Sequence, residues 1–129
     1  MNTGYFGNIK NYSKNKDLKL VSIAWFNKFW KGLEYKKLAP PADIIKIEDE
    51  ALYTRLYYER VLNKLNPQEV YNELGENAVL LCYEKWDDIK NNKTFCHRRI
   101  VAKWLEDNLG VKIQEIQNES NANCEQLHF

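Results

Sequence analysis

The chain has 129 residues, 44% of them hydrophobic and 13% aromatic, which is enough to bury a core within a single domain. It has no 18-residue apolar run and no signal-peptide core at its N-terminus. This excludes a spanning helix and predicts a soluble, cytoplasmic protein with no membrane partner. Three cysteines are an odd count without an export signal, so reduced thiols are the simpler expectation, any disulfide being transient.

Net charge is +1 but uneven: residues 1–40 hold eight lysines against Asp17 and Glu34, and the remainder is net acidic. One end of the chain could therefore offer a basic surface to a phosphate-bearing partner.

Along the chain, Thr3-Gly4-Tyr5-Phe6-Gly7 places two glycines around two aromatics and predicts a short strand or turn with close backbone packing. Leu18 to Phe26 is apolar and β-branched enough for a central strand. Asn27 to Leu38 mixes Phe29, Trp30, Leu33 and Tyr35 with lysines, and Pro40-Pro41 closes it. Asp43 to Glu48 is a candidate strand. Glu50 to Leu65 carries Leu52, Leu56, Val61, Leu62 and Leu65 at helical spacing. Asn66-Pro67 caps and opens a further helix that Gly75 ends.

The apolar run Asn77 to Glu84 predicts a buried parallel strand. Trp86 to Thr94 is a charged loop, residues 95–109 a helix closed by Gly110, and Val111 to Ile116 an alternating edge strand. The whole predicts a three-layer α/β domain with a mainly parallel sheet over residues 1–116 and a polar tail over 117–129.

Tyr5-Phe6-Gly7, Trp30-Lys31-Gly32, Leu38-Ala39-Pro40, Tyr57-Tyr58, and Leu81-Cys82-Tyr83-Glu84-Lys85 followed by Cys96-His97-Arg98-Arg99 form a recognisable set. It resembles the domain-of-unknown-function family numbered 488 from about Thr3 to Val111. The resemblance implies an α/β fold and a shared site, and no particular reaction.

That site would lie where the strand ending in Cys82 meets the helix opening at Cys96, since open α/β sheets bind ligands beyond the C-terminal ends of their strands. With Thr94 as N-cap, Cys96 and His97 fall in the first turn, where free N–H groups and the helix dipole favour a thiolate, a phosphate or a carboxylate. Helical phase puts His97 in line with Val101 and Trp104 on the buried side. Arg98 lies on the flank, and Arg99 faces water. Glu84 shares a strand face with Cys82 and could exchange protons or pair with Arg98.

The expected roles follow. Cys96 is the candidate nucleophile, Glu84 and His97 handle protons, and Arg98, Cys82, Tyr5 and Lys31 contact the ligand. No metal is expected of Cys82, Cys96 and His97, because neighbours within a helix diverge by about 100°. No cofactor fingerprint is present; P-loop, Rossmann, zinc-deaminase and thiol-phosphatase patterns are all absent.

Lysines among Tyr12, Trp25, Phe26, Phe29, Trp30 and Tyr35 could serve phosphates and stacked bases, although Trp25 and Phe26 also fit a core. The leading expectation is a phosphate-containing ligand, either a nucleotide or nucleic acid, bound with or without catalysis. The alternatives are a thiol redox protein using Cys82 and Cys96, or a non-enzymatic interaction module.

Overall fold

The computed structural model describes residues 1–25, 30–83 and 95–116. Its five strands are β1 (Asn2–Tyr5), β2 (Lys19–Ser22), β3 (Leu33–Glu34), β4 (Ala78–Cys82) and β5 (Gln114–Glu115). They form one sheet in the order β3-β2-β4-β1-β5, with every pairing parallel. Five α-helices accompany it among the described residues: α1 (Ile9–Tyr12), α2 (Ala42–Ile45), α3 (Glu50–Arg60), α4 (Pro67–Leu74) and α5 (His97–Leu109). The chain is an α/β domain with a parallel sheet flanked by helices.

All five residues of β4 are buried, as the centre of such a sheet requires. Alternation sends Ala78 and Leu80 into the larger core, where Tyr57, Leu62, Leu74, Val101 and Leu105 of the helical layer pack. Val79 and Leu81 point to the other face, into a thinner layer built on Phe6, Tyr12 and Ala24.

Gly4 makes that thin layer possible. A Cβ there would stand 2.9 Å from the Tyr12 ring. Tyr12 cannot retreat, because its hydroxyl accepts from the Tyr5 amide and donates to the Ile116 carbonyl, each at 3.1 Å. Gly4→Ala should therefore lower the unfolding free energy by about 1–3 kcal/mol. A urea midpoint unchanged from the wild type would show that the ring yields freely.

Several predicted elements change. The strand expected over Leu18 to Phe26 ends at Ser22, whose hydroxyl accepts the Ala24 N–H at 3.2 Å and turns the chain. Trp25 is consequently 44% exposed rather than core. Ala42–Ile45 is a single helical turn where a strand was expected, entered from Pro41, whose ring fixes φ at −58° in the N-cap position. The long helix stops at Arg60, Val61 leaving helical geometry before a 3-10 turn at Leu62–Lys64. The Asn66 cap and Gly75 terminus stand as expected, while the edge strand expected over Val111 to Ile116 is confined to Gln114–Glu115. Predicted features at Phe26, Lys28, Phe29, the Trp86–Thr94 loop and the tail from Gln117 lie outside the described residues.

Candidate functional site

Parallel strands in register bring Tyr5 beside Cys82 at the C-terminal edge of the sheet. The chain leaves β1 toward β2 on one side, and leaves β4 toward β5 on the other. The boundary between β1 and β4 is thus the topological switch point, where open α/β sheets form a crevice.

Cys82 lies at this point on the α5 side of β4, and α5 presents its N-terminus to it. The N-cap is Cys96 itself, in extended geometry (φ −138°, ψ 139°), rather than Thr94. Because Cys96 stands outside the helix, its side chain is free of the 100° divergence expected between helical neighbours. Its sulfur comes within 3.9 Å of His97 Nδ1. On the other side it reaches Cys82, to which it is joined as a disulfide, with Cα atoms 7.3 Å apart.

His97 is 6% exposed, and its Nε2 lies 2.7 Å from the Ile23 carbonyl oxygen. A carbonyl can only accept, so Nε2 carries the proton and Nδ1 turns its lone pair toward Cys96. Burial lowers the His97 pKa to about 4, the Ile23 carbonyl only partly opposing it and the Arg98 charge adding to it. The imidazole is therefore neutral at neutral pH. It is an acceptor or a ligand more readily than a store for a proton.

Arg98 is fully buried. It makes a two-pronged pair with Glu115, Nε and Nη2 each 2.9 Å from a carboxylate oxygen, while Nη1 donates to Cys82 Sγ at 3.1 Å. The Glu115 side chain is 2% exposed. Thr3 donates to Glu115 Oε1 at 2.7 Å and accepts from Arg99 Nη1 at 2.7 Å. Arg99, expected to face water, instead turns inward onto Thr3 and the Ile113 carbonyl, since β1 packs against α5. A continuous chain of polar contacts runs Arg99–Thr3–Glu115–Arg98–Cys82.

The site residues expected from sequence divide accordingly. Cys82, Cys96, His97 and Arg98 converge, with Tyr5 paired to Cys82 along the backbone. Lys31 is exposed and belongs to the strand β3 side, beside Trp30. Glu84 lies outside the described residues. Glu115, Thr3 and the Ile23 carbonyl were not anticipated. Glu115 had a legible signal: in Val111-Lys112-Ile113-Gln114-Glu115 it occupies the inward phase with Ile113, and an acid in an inward position needs a buried partner.

The N-terminal lysines are partly engaged elsewhere. Lys37 pairs with Glu73 at 3.1 Å, Lys36 with Glu34 at 3.3 Å, and Lys36 also lies over the Trp25 ring. Lys19 donates to the Leu74 carbonyl at 2.9 Å, closing the end of α4. Among the described residues no helix is long and apolar enough to cross a membrane.

No family model matches the chain, and neither a curated protein nor a solved structure matches it.

Proposed function

We propose that this protein is a thiol–disulfide redox protein whose working groups are Cys82 and Cys96. One observation carries the reading: the two sulfurs meet at the switch point of a parallel sheet, one on a strand end and one on a helix N-cap. The resemblance to the family numbered 488 draws on motifs from Tyr5 to Arg99, and in this reading its two cysteine-bearing motifs, around Cys82 and Cys96, supply the dithiol.

The chemistry needs an oxidant, and a low-molecular-weight disulfide is the class that balances it. In the reduced protein the Arg98 guanidinium favours a thiolate on Cys82. That thiolate attacks one sulfur of the small disulfide, forming a mixed disulfide and expelling a thiolate. Cys96 then attacks the Cys82 sulfur, the mixed bond breaks, and the second small thiolate leaves. The protons of the two protein thiols end on the two departing thiols. The protein loses two electrons and two protons, and the small disulfide gains them.

This assigns Cys82 the attacking role expected of Cys96, because the buried arginine reaches the strand cysteine and not the helix one. His97 orients Cys96 and accepts its S–H. The phosphate-ligand reading relied on Arg98, whose donors face Glu115 and Cys82; the α5 N-terminus is what supports that reading, as a second choice.

The test is a disulfide map. Reduced protein treated with oxidised glutathione, quenched in acid, alkylated and digested should yield a peptide pair linked through Cys82 and Cys96, with Cys124 alkylated or carrying glutathione. Since both cysteines are at most 2% exposed, the folded protein should react at least about tenfold more slowly than the urea-unfolded chain. Stable glutathione adducts on Cys82 or Cys96 with no internal link would sink the reading.

A further inference from the structure

The same pair, reduced, does not stand alone. Cys82 Sγ, Cys96 Sγ and His97 Nδ1 all lie within 4.8 Å of one another, and all three residues are buried. We propose that the reduced protein binds a thiophilic divalent ion, zinc, through Cys82, Cys96 and His97. This goes beyond the redox reading: it needs the dithiol, and it does not need the disulfide to form.

Three features of the structure carry the assignment. The first is the backbone spacing. Relaxed disulfides hold their Cα atoms about 4.4–6.8 Å apart, and these stand 7.3 Å apart. A zinc ion between two sulfurs lengthens the connection, with Zn–S bonds of about 2.3 Å and the sulfurs about 3.7 Å from one another. The Cys96 sulfur and Nδ1 are already 3.9 Å apart, close to the ligand–ligand spacing of a tetrahedral site.

The second is the histidine. Metal-bound imidazoles characteristically donate their other N–H to a carbonyl or carboxylate, which fixes both tautomer and ring orientation. Here Nε2 is anchored on the Ile23 carbonyl and the ring packs edge-on to Tyr57, so that Nδ1 faces the two sulfurs.

The third is charge. Arg98 and Glu115 cancel each other within the buried cluster. Two thiolates would add two negative charges to this buried cluster, and a divalent ion offsets them. Arg98 Nη1 is then a hydrogen-bond donor to a metal-bound sulfur, the outer contact that tunes thiolate ligands. Among the described residues no fourth Cys, His, Asp or Glu joins the group. Two cysteines and one histidine make a three-ligand set that leaves a fourth position for water or an exogenous ligand.

Cobalt reports on such a site directly. Fully reduced protein, freed of reductant under argon and titrated with Co2+, should develop a sulfur-to-cobalt charge-transfer band that saturates at one equivalent and is bleached by one equivalent of Zn2+. The band should survive Cys124→Ser, disappear in Cys82→Ser and Cys96→Ser, and be absent from the oxidised protein. Should the serine variants misfold, the wild type still decides: one equivalent of Zn2+ should protect Cys82 and Cys96, but not Cys124, from alkylation. No band and no protection in folded, reduced protein overturn the metal site and leave the disulfide map untouched. A band that follows Cys124 overturns it equally. Conversely, zinc binding with no internal disulfide under glutathione would remove the redox reading alone.

Discussion

Arg98→Ala should lower the unfolding free energy by about 3–5 kcal/mol, the range seen when one member of a buried ion pair is removed. The guanidinium is fully buried, holds both oxygens of a carboxylate that is itself 2% exposed, and supports the Cys82 sulfur. Alanine strips the buried Glu115 carboxyl of its two-pronged partner, leaving Thr3 as its side-chain donor among the described residues. Domains of this size are stable by only about 5–15 kcal/mol, so the variant should be partly unfolded at moderate temperature.

The pair itself need not contribute that much. Replacing both partners, as Arg98→Met with Glu115→Leu, removes the desolvation cost along with the attraction and should recover most of the loss. Urea titrations of the wild type, both single variants and the double variant measure the coupling. Additive losses would mean that Arg98 and Glu115 do not depend on one another, and the polar chain from Arg99 to Cys82 would have to be redrawn. The double variant should also slow internal disulfide formation, since the Cys82 thiolate loses its only guanidinium partner among the described residues.

The second large effect is acid sensitivity in the oxidised, metal-free protein. His97 has its pKa lowered from 6.5 to about 4 by burial, so between those values the unfolded chain takes up a proton that the native protein refuses. Stability from this group is therefore complete above about pH 6.5 and declines as the pH falls toward 4, by about 3 kcal/mol in all. Among the described residues the groups facing the ring are the Ile23 carbonyl, the edge of Tyr57, the Cys96 sulfur and the Arg98 charge, and none of them is a carboxylate that could hold the imidazolium. Paired carboxylates elsewhere add their own acid sensitivity, as Asp43 beside Arg60 and Glu73 beside Tyr35 and Lys37 do. The informative quantity is thus the difference from His97→Phe. The wild type should lose more stability than the variant between neutral pH and about pH 4. Parallel curves would place His97 in contact with water.

Local physics wrote much of this fold into the chain. Asn66-Pro67 and Gly75 bound a helix because a side-chain cap, a fixed φ and a positive φ of 90° act within a few residues. The unbroken apolar run at Ala78–Cys82 could only be a strand covered on both faces, and the parallel class follows from its alternation with helices. Placing a site where that strand ends and the Cys96 helix begins needed only the general geometry of open sheets. The helical phase of His97 with Val101 and Trp104 was legible for the same reason: it is a period, and periods are local.

Partnerships across the chain were decided by tertiary structure alone. Glu115 meets Arg98 because β5 pairs with β1 rather than continuing outward from β4, and nothing within either segment states that strand order. Cys96 reaches both Cys82 and His97 by standing just outside the helix in extended geometry, the helix beginning two residues later than a Thr94 cap would have it. The sequence by itself therefore placed Cys82 at a strand end and Cys96 at the start of the following helix, at one edge of the sheet. Strand order and one cap residue decided which side chains touch, because a pairwise contact between distant segments depends on the register of everything between them.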